Sequence, residues 1–235
     1  MKCWVGTSGF SYKEWKGSFY PEDLSNAGML AYYGKRLNAV EINNTFYRMP
    51  KRATLADWGG KVPDEFSFVL KASRKITHFK RLKDTQDELG YLVDVSSELG
   101  ARLGPMLFQL PPNLKSDVGR LRDFVSLFPE GFRAAFEFRN DSWFDDEIYT
   151  VLGDAGAALV VAHTEADEPP AVVATAPYGY LRLRGETYEQ DDLSRWARTV
   201  SDQGWEDAYI FFKHEDAGAG PALAERFAAD LQALA

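Results

Sequence analysis

Cysteine is nearly absent from this chain. Cys3 is the single one in 235 residues, so no internal disulfide and no cysteine-based zinc site can form within it. Histidine is scarce as well, with three residues, and neither an H-x-x-E nor an Asp-rich metal pattern occurs. No apolar run approaches the roughly 20 residues needed to span a bilayer. The opening stretch MKCWVGTSGF is too short and too mixed for a signal peptide. A cytoplasmic protein without a membrane partner is expected. Positive charge is the minority, 27 Lys and Arg against 35 Asp and Glu, for a net −8 at pH 7. That balance disfavours broad electrostatic binding to nucleic acid. No glycine-rich dinucleotide fingerprint follows any strand-like run, and no cofactor is expected.

What is present is an alternation. Eight apolar, β-branched runs recur: residues 2–8, 38–47, 66–73, 104–112, 132–139, 157–164, 178–185 and 207–214. Helical patterns separate most of them. Residues 84–100 are the clearest, where Leu89, Leu92, Val93 and Leu99 form one stripe and Gly100 follows as a stop. The segment 165–177 holds three prolines, so the sixth helix is expected to be short or missing. Alternating buried strands and helices predict a parallel sheet covered by helices. Eight such units predict an α/β fold, a single (β/α)8 TIM-like barrel over residues 1–235. An open doubly wound sheet is the competing architecture.

In such barrels the site lies at the C-terminal ends of the strands. Polar residues gather there: Thr7 and Ser8, then Glu41, Asn43 and Asn44, Lys71, Gln109, Glu137 and Arg139, His163, Arg182 and Arg184, and Lys213 with His214 and Glu215. Thr77 and His78 stand in the loop beyond the third strand. Unpaired ions are costly in a dry core, so these charges must pair, meet water or meet a ligand. A self-satisfied salt-bridge plug is the plainer alternative. The loop GTSGFSYKEWKGSFYP, residues 6–21, adds Tyr12, Trp15, Phe19 and Tyr20. Tyr12 and Trp15, with Trp143, are expected to form a stacking wall, whereas Phe19 and Tyr20 are equally suited to packing over the mouth.

Three chemistries fit. Glu41, Glu137 and His163 form a candidate single-ion set. Glu41 and Glu137 form a candidate glycosidase pair, although an acid beside Arg139 has its pKa lowered, which leaves no general acid. The leading expectation is a metal-independent enzyme of the isomerase, lyase or hydrolase kind acting on an anionic, phosphorylated or carboxylated small molecule. Lys71, Arg139, Arg182, Arg184 and Lys213 would bind the anion, with Asn43, Gln109, Tyr12, Trp15 and Trp143 holding the rest. Glu41 or Glu137 would be the general base and His78 or His163 a proton shuttle. A non-catalytic sensor of a nucleotide or sugar phosphate is the alternative from another class, and a nucleic-acid-processing enzyme is the third. No pattern fixes an oligomeric state.

The stretches GTSGFSYKEWKGSFYP, VEINNTFYRMP, FSFVLKASRKITH, GPMLFQLPP, FEFRNDSW and LRLRG span nearly the whole chain in order. Together they resemble the family called domain of unknown function 72, the YecE-like proteins. The resemblance implies a TIM-like barrel and supplies no activity. It also marks departures. Much of that family reads Arg-x-His-Gly at strand seven, where this chain has Arg182, Leu183, Arg184 and Gly185. An acid often ends strand six, where His163 stands here. Two asparagines often end strand eight, where Lys213 and His214 stand. Each change makes the pocket more basic.

Overall fold

The computed structural model describes residues 1–164, 171–185, 187–213 and 218–234. Its strands are β1 (Lys2–Ser8), β2 (Ala39–Ile42), β3 (Ser67–Leu70), β4 (Met106–Gln109), β5 (Ala134–Glu137), β6 (Ala158–His163), β7 (Tyr178–Leu183) and β8 (Asp207–Phe212). The strand pairings among the described residues are all parallel, in the order β3-β2-β1-β8-β7-β6-β5-β4. The seam between β3 and β4 is bridged by two backbone bonds, Gly104 N–H to Phe68 O and Ala72 N–H to Leu107 O, each 2.8 Å. The sheet is thus a nearly closed barrel, as the alternating pattern predicts.

The helices are α1 (Met29–Tyr33), α2 (Asn44–Tyr47), α3 (Arg52–Gly59), α4 (Gln86–Ser96), α5 (Val118–Val125), α6 (Asp146–Asp154), α7 (Gln190–Ser201) and α8 (Ala219–Ala233). Sequence chemistry sets several of their ends. The Asp117 and Asp145 carboxylates accept backbone N–H groups at the starts of α5 and α6, and Glu189 with Asp192 makes a capping box on α7. No helix among the described residues lies between β6 and β7, where the prolines stand. None of the described helices is long and apolar enough to cross a membrane.

Two apolar layers follow from the two-residue strand period. The outer faces pack against the helices around Phe108, Phe124, Phe136 and Phe212. The inner faces fill the lower barrel with Trp4, Ala39, Val69, Leu107, Ala135, Val160, Tyr180, Tyr209 and Phe211. The barrel is therefore a packed column up to that height and not a pore. β1 and β2 approach so closely that a Cβ on Gly6 would lie 1.8 Å from the Ala39 carbonyl oxygen, which only glycine tolerates there.

Candidate functional site

The polar site begins one step above this apolar column. Glu41 stands two residues past Ala39, Lys71 two past Val69, Gln109 two past Leu107, Glu137 two past Ala135, and Arg182 two past Tyr180. Each inherits the inward direction of its predecessor. Lys213 likewise stands two past Phe211, and Arg139 and Arg184 come one further step up their strands.

Glu41 and Glu137 are fully buried, and Arg182, only 2 % exposed, lies between them. The Arg182 Nη2 donates to Glu41 Oε1 at 2.7 Å, while its Nη1 makes a very short contact to Glu137 Oε2. Glu41 also accepts from the Ser8 hydroxyl at 2.8 Å and the Tyr180 hydroxyl at 2.6 Å. Glu137 also accepts from Arg139 Nε at 3.1 Å, and Arg184 Nη2 stands 3.4 Å away. Burial alone would raise both carboxyl pKa values. The surrounding groups outweigh it: Arg182, Tyr180 and Ser8 hold Glu41 below its ordinary value, and the three arginines hold Glu137 at about 2. Both carboxylates are fixed anions near neutral pH, and neither offers a general acid.

Above this floor a cavity of about 260 Å³ opens. Lys71, Gln109, Arg139, Arg182, Arg184 and Lys213 line it from the strand ends, and Tyr12, Asn43, Asn44 and Tyr47 line it from the loops. Lys71 Nζ donates to Gln109 Oε1 at 2.9 Å and lies 4.3 Å from the Phe46 ring centroid. Burial, then the Arg182 charge, lowers its pKa to about 8 despite the opposing pull of Glu41 and Glu137. The Thr45 hydroxyl ties α2 to the end of β3 by donating to the Lys71 carbonyl at 2.7 Å. The Nε atoms of Arg182 and Arg184 are buried with no hydrogen-bond partner among the described residues.

Most of the expected site residues thus converge, and four do not. Trp15 is buried, packed on Tyr12, Phe19 and Tyr20. Trp143 is buried too, stacked on Phe138 at 4.7 Å with its indole N–H on the Leu114 carbonyl at 2.8 Å. The expected stacking wall therefore reduces to Tyr12, because the two indoles belong to the core. His78 lies behind the cavity, on a π-helical turn (Lys75–Phe79), edge-on to Phe46 and hydrogen-bonded through Nδ1 to the Thr77 hydroxyl at 2.9 Å. Burial and the nearby Lys71, Arg139 and Arg81 charges lower its pKa. His163 turns to the Tyr188 hydroxyl at 2.7 Å, so the proposed trio with Glu41 and Glu137 is not assembled. No group of three potential metal ligands exists among the described residues. His214 and Glu215 lie outside the described residues.

Four contributors escaped the expected ligand set. Asn44 and Tyr47 line the cavity because β2 stops at Ile42 and α2 turns its first residues across the mouth. Phe46 lies under Lys71 and Tyr180 under Glu41. The available signal was the inner-face period on β7, which puts Tyr180 directly below Arg182.

The family model described as "Protein of unknown function DUF72" matches residues 4–235. The UPF0759 protein YunF of Bacillus subtilis (strain 168) is 24% identical over 225 residues, covering 90% of this chain and 78% of that protein. The UPF0759 protein YecE of Escherichia coli (strain K12) is 28% identical over 116 residues, covering 49% of this chain and 43% of that protein. Among solved structures, a DUF72 family protein of Thermotoga maritima MSB8 superposes with a TM-score of 0.79 at 25% identity, covering 99% of this chain and 100% of that one. Another, from Enterococcus faecalis V583, gives 0.80 at 17% identity, covering 98% and 95%. With the matched model spanning all but the first three residues, the chain belongs to the DUF72 family of TIM-like barrels.

Proposed function

We propose that this protein is an enzyme of the isomerase, lyase or hydrolase kind, acting on a small metabolite that carries a phosphate or carboxylate. The substrate would sit in the cavity at the C-terminal ends of the strands. One observation carries the reading: five basic side chains line that cavity and, among the described residues, no acidic one does. Cations gathered in a partly buried space repel one another, and a bound anion relieves that repulsion. Arg184 is the foremost contact: among the described residues its buried Nε has no hydrogen-bond partner, and its ion pair is a long 3.4 Å approach to Glu137. A cavity near 260 Å³ falls below the roughly 300–1,000 Å³ of drug-sized sites, which points to a small ligand. Glu41 and Glu137 serve as the counter-charges that hold Arg182 and not as bases, since both are fully buried and already bonded. A glycosidase is supported less well, because neither carboxyl has a raised pKa.

The test is a thermal-shift panel of sugar phosphates, nucleotides, dicarboxylates and neutral sugars. A ligand at 100 times its Kd stabilises by about 2.7 kcal/mol, or roughly 5–10 °C in a domain of this size. Anionic classes are expected to shift the melting point and neutral sugars are not, with the shift lost in Arg184→Ala. A panel in which no anion shifts the protein overturns the reading.

A further inference from the structure

Lys71 differs from the other cations of the cavity. Of the two lysines that line the cavity it is the one at the β3–β4 seam, 8 % exposed. Among the described residues its side-chain hydrogen bond goes to a neutral amide, Gln109 Oε1 at 2.9 Å, and no carboxylate lies within ion-pair distance of it. Its charged neighbours are Arg182 and Arg139, which disfavour its ammonium, and Glu41 and Glu137, which favour it but are ion-paired to the arginines. An ammonium whose task was only to brace the barrel would be expected to face a carboxylate. Lys71 instead faces an amide, an aromatic ring and open space.

We propose that Lys71 is a nucleophilic amine that forms an iminium with the carbonyl group of a small aldehyde, ketone or 2-oxo acid, whose anionic group the neighbouring arginines hold. The inference rests on the anion-site reading and names the substrate class and the covalent chemistry of that site. In the step, the neutral Nζ adds to the carbonyl carbon and the C=O π pair moves to oxygen. The nitrogen loses a proton and the oxygen gains one, giving a carbinolamine. A further proton on that oxygen lets it leave as water, and the nitrogen lone pair closes C=N⁺. The net consumption is one proton and the product is one water. Three features of the site serve this chemistry. The low dielectric and nearby guanidiniums favour the uncharged amine, in keeping with a pKa near 8, which gives roughly 300-fold more free amine at neutral pH than an ordinary lysine. The Gln109 oxygen fixes the nitrogen by one N–H. The Phe46 face, 4.3 Å away, receives the iminium cation once formed.

The experiment is reductive trapping. The protein is incubated with pyruvate, with dihydroxyacetone phosphate and with uncharged acetone, each with cyanoborohydride, and the modified lysines are located by peptide mass mapping. Lys71 is expected to be modified at least about tenfold faster than the exposed Lys13, Lys35 and Lys51, by the anionic carbonyls well above acetone. Inorganic phosphate should compete. Lys71→Arg should keep the phosphate-induced thermal shift and lose the adduct, which separates the amine from mere charge. Adducts spread over surface lysines with Lys71 unmodified, while phosphate still shifts the melting point, overturn the amine and leave the anion site standing. A protein with neither shift nor adduct loses both, and an adduct on Lys71 without any anion shift retains the amine and removes the anion site.

Discussion

Arg182 stands with one guanidinium between two fully buried carboxylates, Glu41 and Glu137. Removing it leaves Glu41 with no cationic partner among the described residues and Glu137 with only Arg139 and Arg184. Arg182→Met should therefore destabilise by about 3–5 kcal/mol in urea unfolding. Neutralising the partners as well, with Glu41→Gln and Glu137→Gln in the same chain, should recover more than half of that loss, because no fully buried carboxylate is then left under-paired. The pH dependence has a definite sign. Glu137 is held near 2 in the fold against 4.5 for the free group, so its contribution is present above about 4.5 and lost as pH falls towards 2. Arg182→Met should move the acid unfolding midpoint to higher pH. Lys71 works in the opposite range. Its folded pKa near 8 lies below the ordinary 10.5, so the folded state binds fewer protons between these values. Wild-type stability relative to Lys71→Met should therefore rise as pH climbs from about 8 to 10.5, as read by melting curves at matched pH values. A difference that is flat with pH would mean Lys71 keeps an ordinary ammonium in the fold.

At the scale of elements, the connection from β3 to α4 is the unusual one. It contains the π-helical turn with His78 and three non-glycine residues of positive φ, Arg81, Leu82 and Asp84. Such conformations persist only where the surroundings impose them. The imposing group is Glu88 on α4, which holds Lys75 and Lys80 at 2.8 Å each, and those hydrogen-bonded lysines bring its pKa to about 2. Glu88→Ala should leave the melting point within about 1 kcal/mol, since both lysines are substantially exposed. It should nonetheless speed tryptic cleavage after Lys80, Arg81 and Lys83 severalfold, as measured by timed digestion and mass spectrometry. Element order was largely legible in the sequence. β1 occupies the expected residues 2–8, and α4 lies within the helical pattern of residues 84–100. Strand ends were read too long: the run 38–47 splits into β2 and α2, because Asn43 and Asn44 break the ladder where the chain crosses the mouth. The inward charges were readable because strand alternation is strict, whereas the burial of Trp15 and Trp143 depends on contacts with distant residues such as Leu114 that no local pattern encodes.

Taken whole, the molecule is acidic with a basic mouth. A net charge of −8 surrounds a cavity lined by Lys71, Arg139, Arg182, Arg184 and Lys213. The two features select for small anions, since a long polyanion reaching the mouth must also lie against acidic surface. Affinity for a compact probe such as pyrophosphate should fall less than about tenfold between roughly 50 and 200 mM salt, as measured by calorimetry. A duplex-binding protein that contacts several phosphates would lose about 10³–10⁵ over that range.

The apolar column of Trp4, Leu107, Tyr180, Tyr209 and Phe211 closes the barrel beneath the charged floor. The cavity is consequently a cul-de-sac: whatever enters it departs by the same opening. For a one-substrate reaction, product and substrate then exclude each other sterically, and product inhibition takes the competitive form, raising KM and leaving kcat untouched. In a reaction with two substrates that both enter the cavity, the one nearer the floor must enter first and leave last.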